Sequence, residues 1–176
     1  SGFGANFDMY KANTTFGAFY VQDRITFEGM TVNIGMRYDY WFPGKYVEDA
    51  INNPNTVIIT DAARKKFDEE TFDLFGFKGK GRFSPRFGIS HPVTDNDVLY
   101  FYYGHFSQLP TFQYVYAKLN SVSQSTYQVF GNPNLNPKTT VQYELGIKHR
   151  FSEDQVLEMK VYWKDMFDYE TSQTIT

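Results

Sequence analysis

The sequence predicts an all-β protein: an antiparallel transmembrane β-barrel segment of about six long strands, paired as three hairpins. Three observations carry that prediction. The 18 Phe and 14 Tyr outnumber Leu, Ile and Val taken together. Aromatic and β-branched residues favour the pleated strand, whereas a chain poor in Leu and Ala makes poor helix bundles. Six stretches of about ten or more residues read as strands, against a usual strand of ~5–6. The connections between them run short, long, short, long, short, the rhythm of a barrel with tight turns at one end and extended loops at the other.

Taken in order, the strands fall at 15–27, 30–41, 82–91, 98–108, 139–151 and 157–167. Their length matters, because a tilted strand needs ~9–11 residues to cross a bilayer. Glu28-Gly29 joins the first pair as a two-residue turn with glycine, a hairpin signal. Thr94-Asp95-Asn96-Asp97 marks the tip of the second short connection, and Ser152 to Val156 forms the third. The long segments 42–81 and 109–138 are the outer loops. Within the first, Thr60 through Phe75 reads as a short helix, with Thr60 as N-cap and Gly76 as the stop. Arg64/Asp68, Lys65/Glu69 and Lys66/Glu70 stand at i,i+4 on it.

Period-two geometry sorts the faces. With Phe27 opposite Met30, one face of the first hairpin carries Phe19, Val21, Ile25, Phe27, Met30, Val32, Ile34, Met36, Tyr38 and Tyr40. The other carries Ala18, Tyr20, Gln22, Arg24, Thr26, Thr31, Asn33, Gly35, Arg37 and Asp39. In the middle hairpin Phe87 and Ile89 go with Leu99, Phe101 and Tyr103, while Arg86, Gly88 and Ser90 go with Tyr100, Tyr102 and Gly104. In the last, Phe151 is set opposite Leu157. That register pairs Arg150 with Glu158 and Glu144 with Lys164, at the cost of Lys148 facing Lys160.

Composition excludes several function classes. With 17 Lys+Arg against 20 Asp+Glu, the net charge of -3 is wrong for a nucleic-acid binder held by phosphate contacts. The cysteine count of 0 removes disulfides, thiolate metal sites and a cysteine nucleophile together. No run approaches the ~18 apolar residues of a membrane-spanning helix. A mean hydropathy of -0.48 is compatible with a barrel, since half of each strand then faces a polar lumen. The opening Ser1-Gly2-Phe3 reads as a mature or excised segment, not a signal peptide.

Candidate chemistry is sparse. His91, His105 and His149 lie far apart, without metal-ligand spacing, and read as isolated strand residues. Gly76-Phe77-Lys78-Gly79-Lys80-Gly81 lacks phosphate-loop spacing and reads as a flexible loop end. Asp95-Asn96-Asp97 lacks the later ligands of a calcium loop. Neither a catalytic set, a cofactor nor a metal site is expected. The polar-face charges Arg24, Arg37, Asp39, Glu144, Lys148, Arg150, Glu158 and Lys160 read first as a bracing network and only second as a substrate route.

Several motifs resemble one family. Gly17-Ala18-Phe19-Tyr20-Val21-Gln22-Asp23, running into Val32 to Tyr40, resembles the YxQD…LNxGLRYDY hairpin of TonB-dependent outer-membrane receptors. Phe83 to Ser90 resembles their SPRxGxS strand, and Tyr103 to Pro110 their YGxxFxxP segment. Gly131-Asn132-Pro133-Asn134-Leu135-Asn136-Pro137 with Tyr143-Glu144-Leu145-Gly146 resembles GNPxLxPExxxxYELG; Lys138-Thr139 departs from the acidic residue usual after the proline. The resemblance is greatest to the receptor type with a carboxypeptidase-regulatory-like domain before the plug. It implies a 22-stranded barrel around a plug, in the bacterial outer membrane, importing a scarce nutrient such as a siderophore, cobalamin, peptide or glycan. The implied partners are outer-membrane lipid, the rest of the barrel with its plug, the TonB complex and the nutrient itself. Because the sequence stops at Thr174-Ile175-Thr176 without a terminal aromatic strand, it reads as a middle-to-late slice of that barrel.

Four expectations follow. The strands should form an open sheet. Asp23, on the apolar face opposite Ile34, should be re-aimed by a β-bulge or lie at headgroup level. Phe27 and Phe151 should mark one membrane boundary, with Tyr38, Tyr40 and Trp163 toward the other. Any ligand should meet the long loops and adjoining wall, with Gln108, Phe112, Tyr114, Tyr100, Tyr102, Arg37 and Asp39 as the candidate contacts. The rival readings are a passive porin and a structural or binding β-sheet module; a soluble sandwich would bury its apolar face.

Overall fold

The computed structural model describes residues 10–56, 58–119 and 130–171. The chain's first and last residues and part of the second long loop, where some of the readings above fall, lie outside them. The element order is β1 (Thr15–Phe27), β2 (Met30–Phe42), α1 (Lys45–Asn52), α2 (Asp61–Glu70), β3 (Phe72–Leu74), β4 (Phe77–Pro92), β5 (Asp97–Gln108), α3 (Phe112–Tyr116), β6 (Lys138–Arg150) and β7 (Val156–Phe167). The strands join in the order β1-β2-β4-β5-β6-β7, with the short β3 added beside β4. Among the described residues β1 and β7 are therefore open edges, as expected of an unclosed sheet.

The chain divides into two compact units, one of Ser1–Gly17, Tyr40–Gly81 and Leu109–Asn136, the other of Ala18–Asp39, Arg82–Gln108 and Pro137–Thr176. They are called here the loop unit and the sheet unit.

In the sheet unit, Glu28 and Gly29 take φ of 47° and 81°, the pair of positive values that closes a tight hairpin with strand-matching twist. Arg24 Nε donates to Asn33 Oδ1 at 3.2 Å, and Gly35 lies against Gln22, so β1 and β2 take the expected register. These one-to-one neighbours on either side of Asp23 leave no room for a bulge, the first of the two arrangements expected for it. Its carboxylate instead accepts the backbone N–H of Arg24 at 2.8 Å, which satisfies it within the regular strand. The middle hairpin pairs Phe87 with Tyr103 and Gly88 with Tyr102, keeping the expected faces.

The last hairpin corrects the sequence reading. Leu145 pairs with Val161 and His149 with Leu157, two residues away from the predicted register. Every side chain keeps its face, but Lys148 now meets Glu158 instead of Lys160, with the ammonium 3.7 Å from the carboxylate. The expected Glu144–Lys164 and Arg150–Glu158 pairs do not form in this register, which sets Glu144 against Tyr162 and Arg150 against Val156. Avoiding two like charges face to face favours this alignment, and the Phe151 N–H donating to Gln155 O at 3.0 Å closes the turn in it.

One face of the sheet is apolar and uncovered: Val21 is 70% exposed and Val161 75%. Phe27, Phe151 and Trp163 are exposed with them, whereas Tyr38 packs on Phe83 at 4.6 Å between ring centroids. A sandwich would have buried this face under a second sheet; the strands here form one sheet.

The loop unit has a conventional core of Trp41, Val47, Ala50, Ile51, Ile59, Phe67, Val115, Tyr116 and Leu119. Both long loops contribute to it, through α1 and α2 from the first and α3 from the second. Helix α1 was not anticipated. Thr60 caps α2 as expected, its hydroxyl oxygen accepting from the Ala63 N–H at 3.2 Å. The helix stops at Glu70, not Phe75, because Thr71 Oγ1 donates to the Phe67 carbonyl at 2.7 Å and the next residues pair as a strand, Leu74 with Phe77. Gly76 is thus a hairpin turn residue, with Phe75 and Gly76 at φ 53° and 81°. Lys65–Glu69 and Lys66–Glu70 pair at 3.7 and 3.6 Å. Asp68 instead meets Lys78 at 3.5 Å, and Arg64 lies 3.8 Å from Asp61. The glycine-rich run is ordered strand, not a loose loop end.

Candidate ligand-contact surfaces

The polar wall of the sheet unit is built by alternation. Pairing keeps even-numbered residues of β4, β5, β6 and β7 together on one face, and Gly88 of β4 lies against Asn33 of β2, which brings the odd-numbered residues of β2 to the same face. Most charges there are paired. Arg82 Nη2 reaches Asp168 at 3.0 Å, Lys138 reaches Glu170 at 3.2 Å and Lys160 reaches Glu144 at 3.9 Å. Of these three, the Lys160–Glu144 contact joins two of the residues that the sequence suggested for a bracing network; the other two pairs lie outside that set. Glycines give the wall its second feature. The ring of Tyr100 lies over Gly146, its direct partner. A Cβ on Gly104 would stand 2.7 Å from Tyr102 Oη, and one on Gly88 would stand 3.5 Å from Tyr102 Cδ2. Two tyrosine rings are thereby laid against the wall.

The candidate contacts divide between the units. Arg37 and Asp39 form a pair, Nε to Oδ1 at 2.8 Å. Tyr100 and Tyr102 share the polar face of β5, and Tyr100 donates its hydroxyl to Glu158 Oε1 at 2.6 Å. Gln108, exposed at the end of β5, stands opposite Lys138. Phe112 and Tyr114 belong to the loop unit, on α3. Phe112 meets the edge of Tyr116 at 5.7 Å, a packing role. Tyr114 is exposed while its carbonyl accepts the Asn132 N–H at 2.7 Å. Burial raises the Tyr116 hydroxyl above the ordinary phenol range, so it stays protonated and donates to the Pro43 carbonyl at 2.8 Å.

Sequence reading missed a polar cluster of the loop unit built around Lys80. Lys80, only 3% exposed, donates to Asn134 O at 3.1 Å, Asn134 Oδ1 at 2.9 Å and Asn136 Oδ1 at 2.8 Å. Its ammonium also lies 3.4 Å from Glu70 Oε2 and 5.7 Å from the Phe67 ring centroid. Asn136 Nδ2 donates to the same Glu70 oxygen at 3.1 Å. The Asn-Pro-rich segment is thus a clamp around a buried cation, where the sequence offered only turn chemistry. No local signal reveals this, since the partners lie 54 and 56 residues along the chain.

Residues 1–176 match the family described as TonB dependent receptor-like, beta-barrel. The chain belongs to this family. The receptor barrel is also similar to solved structures. Against the FrpB iron transporter of Neisseria meningitidis in its apoprotein form, the TM-score is 0.52 at 14% identity, covering 89% of this chain and 20% of that one. Against the copper transporter OprC it is 0.54 at 14% identity, covering 89% and 22%. Against a double mutant of the Serratia marcescens hemophore receptor HasR, in complex with its hemophore HasA and heme, it is 0.52 at 17% identity, covering 88% and 25%. The chain therefore spans about a fifth to a quarter of the length of these structures, and identity this low speaks for the fold alone. No curated protein matches the sequence.

Proposed function

We propose that this chain forms part of the wall and outer loops of a receptor in the bacterial outer membrane that binds a scarce nutrient and imports it with TonB-coupled energy. The observation that supports this reading most is the two-faced sheet. Its strands β1, β2, β5, β6 and β7 are 12 to 13 residues long, enough at ~3.3 Å per residue and ~40° tilt to cross a ~25 Å apolar band. Their apolar face is bare while the opposite face is tied by ion pairs. Water disfavours such a surface and lipid does not.

On this reading the exposed apolar rows face outer-membrane lipid, the open edges pair with further strands, and the polar wall faces a lumen holding a plug. Gln108, Phe112, Tyr114, Tyr100, Tyr102, Arg37 and Asp39 are the proposed ligand contacts, in a role of binding and passage, not catalysis. The cargo is a siderophore, cobalamin, peptide or glycan; because the solved structures it resembles are an iron transporter, a copper transporter and a hemophore receptor with its hemophore and heme, metal-bearing cargo is the first to test. The experiment is uptake by cells carrying the whole receptor, with and without a functional TonB complex. Uptake that saturates and disappears without TonB supports the proposal. Uptake that is linear in concentration and unaffected by TonB fits a passive porin and overturns it.

A further inference from the structure

On the polar wall of the sheet unit most cations meet a carboxylate, while Arg24 and Arg150 hydrogen-bond to Asn33 Oδ1 and to the Asp95 carbonyl; Arg86 does neither. Among the described residues Arg37, Arg82, Lys138, Lys148 and Lys160 each lie near a carboxylate. Arg86 has no hydrogen bond or ion pair there; its contact is with the Phe106 ring, Cζ standing 4.9 Å from the centroid. It is exposed and stands on β4, an interior strand. Lys164 also lacks a carboxylate and packs on Tyr162 at 5.2 Å, but it stands on the edge strand β7.

What surrounds Arg86 is shaped, not merely vacant. Its direct partner is Gly104, so no side chain crowds it from across the strand pair. The hydroxyl end of Tyr102 lies over that glycine. Directly opposed Cβ positions are ~4.5–5.5 Å apart, so the Tyr102 hydroxyl and the stem of Arg86 converge on one patch. The Tyr102 hydroxyl likewise has no hydrogen bond among the described residues. An aromatic face under the guanidinium limits its motion and leaves its planar fork of N–H donors for an oxyanion. A tyrosine ring laid flat beside it offers a face for a planar group.

We propose that Arg86 and Tyr102, with Phe106 as the positioning residue beneath the guanidinium, form a subsite for the carboxylate of a flat organic acid, such as an aromatic carboxylate. This deepens the transport reading and rests on it for the direction from which the acid arrives. The carboxylate takes the guanidinium fork and the Tyr102 hydroxyl, while the ring plane lies along Tyr102.

The test uses the purified whole receptor in detergent, with benzoate as probe and neutral benzamide as control, read by ligand-observed NMR. Benzoate should bind saturably and more weakly as ionic strength rises, and benzamide at least tenfold more weakly still. Arg86→Gln should weaken benzoate at least tenfold, and Tyr102→Leu and Phe106→Leu several-fold, with barrel assembly intact by heat-modifiable gel migration. Lys164→Gln, which removes a charge from the same face, should leave the affinity unchanged. Benzoate affinity that is indifferent to Arg86→Gln, or equal for benzamide, overturns the proposal, as does a wild-type receptor that binds no benzoate because its own residues occupy Arg86. Since this measurement needs no energy source, it can succeed or fail independently of the TonB requirement in the uptake experiment.

Discussion

The sheet unit and the loop unit answer opposite solvents with one composition. In the sheet unit large apolar side chains, Val21 and Trp163 among them, lie bare, while charged and phenolic groups pair with one another on the opposite face. The loop unit does the reverse: Trp41 is 1% exposed and Phe67, Val115 and Leu119 are buried around it, with Lys65, Glu69 and Asp61 outward. Alternation with period two always presents an apolar row, and lipid can cover it. Loops in water have no such cover and must make a core of their own.

Substitutions break that comparison in graded ways. The largest effect is expected from Trp41→Ala, which empties the centre of the loop core and removes the indole N–H donated to Thr14 Oγ1 at 2.9 Å. A loss of ~3–5 kcal/mol is expected. In the whole receptor it should appear as fast hydrogen exchange and protease cleavage within 42–81 and 109–138, while the strands stay protected. Exchange that accelerates equally in β5 and β6 would show that the two units do not respond separately.

Lys80→Met comes next. It removes the cation, leaves the Asn134 and Asn136 acceptors unpaired and takes one of its partners from Glu70, at a cost of roughly 3 kcal/mol. Partial cleavage confined to the segment around Pro133 is the expected result, and an unaltered cleavage pattern would refute the clamp. Gly146→Val should cost about 1–3 kcal/mol, because its side chain enters the space of the Tyr100 ring. Its mark is on the polar wall: the Tyr100–Glu158 hydrogen bond is lost while the loops are undisturbed, readable from the tyrosine resonance. The smallest effect belongs to Thr60→Ala, about 1 kcal/mol, seen as fraying of the first turn of α2 alone.

Much of this was legible beforehand, and the reason is locality. Strand faces, the Glu28-Gly29 turn and the Thr60 cap depend on neighbours within a few positions, and each stands where the residues indicated. The candidate contacts were legible only as a face. Arg37 and Asp39 were named, but that they pair with each other could not be read from alternation, nor could the openness of Arg86 beside Tyr102.

By itself, then, the sequence determined the alternation, the turns and the family motifs, because these are properties of adjacent residues. Tertiary structure decided what depends on distant ones. A shift of two residues in the last hairpin preserves every face, so the pattern is blind to it; only the match of Lys148 with Glu158, and the turn at Phe151 that closes it, selects the register. The folding of two long loops into one core was likewise invisible, since Trp41, Phe67 and Tyr116 become neighbours only once the chain has brought them together.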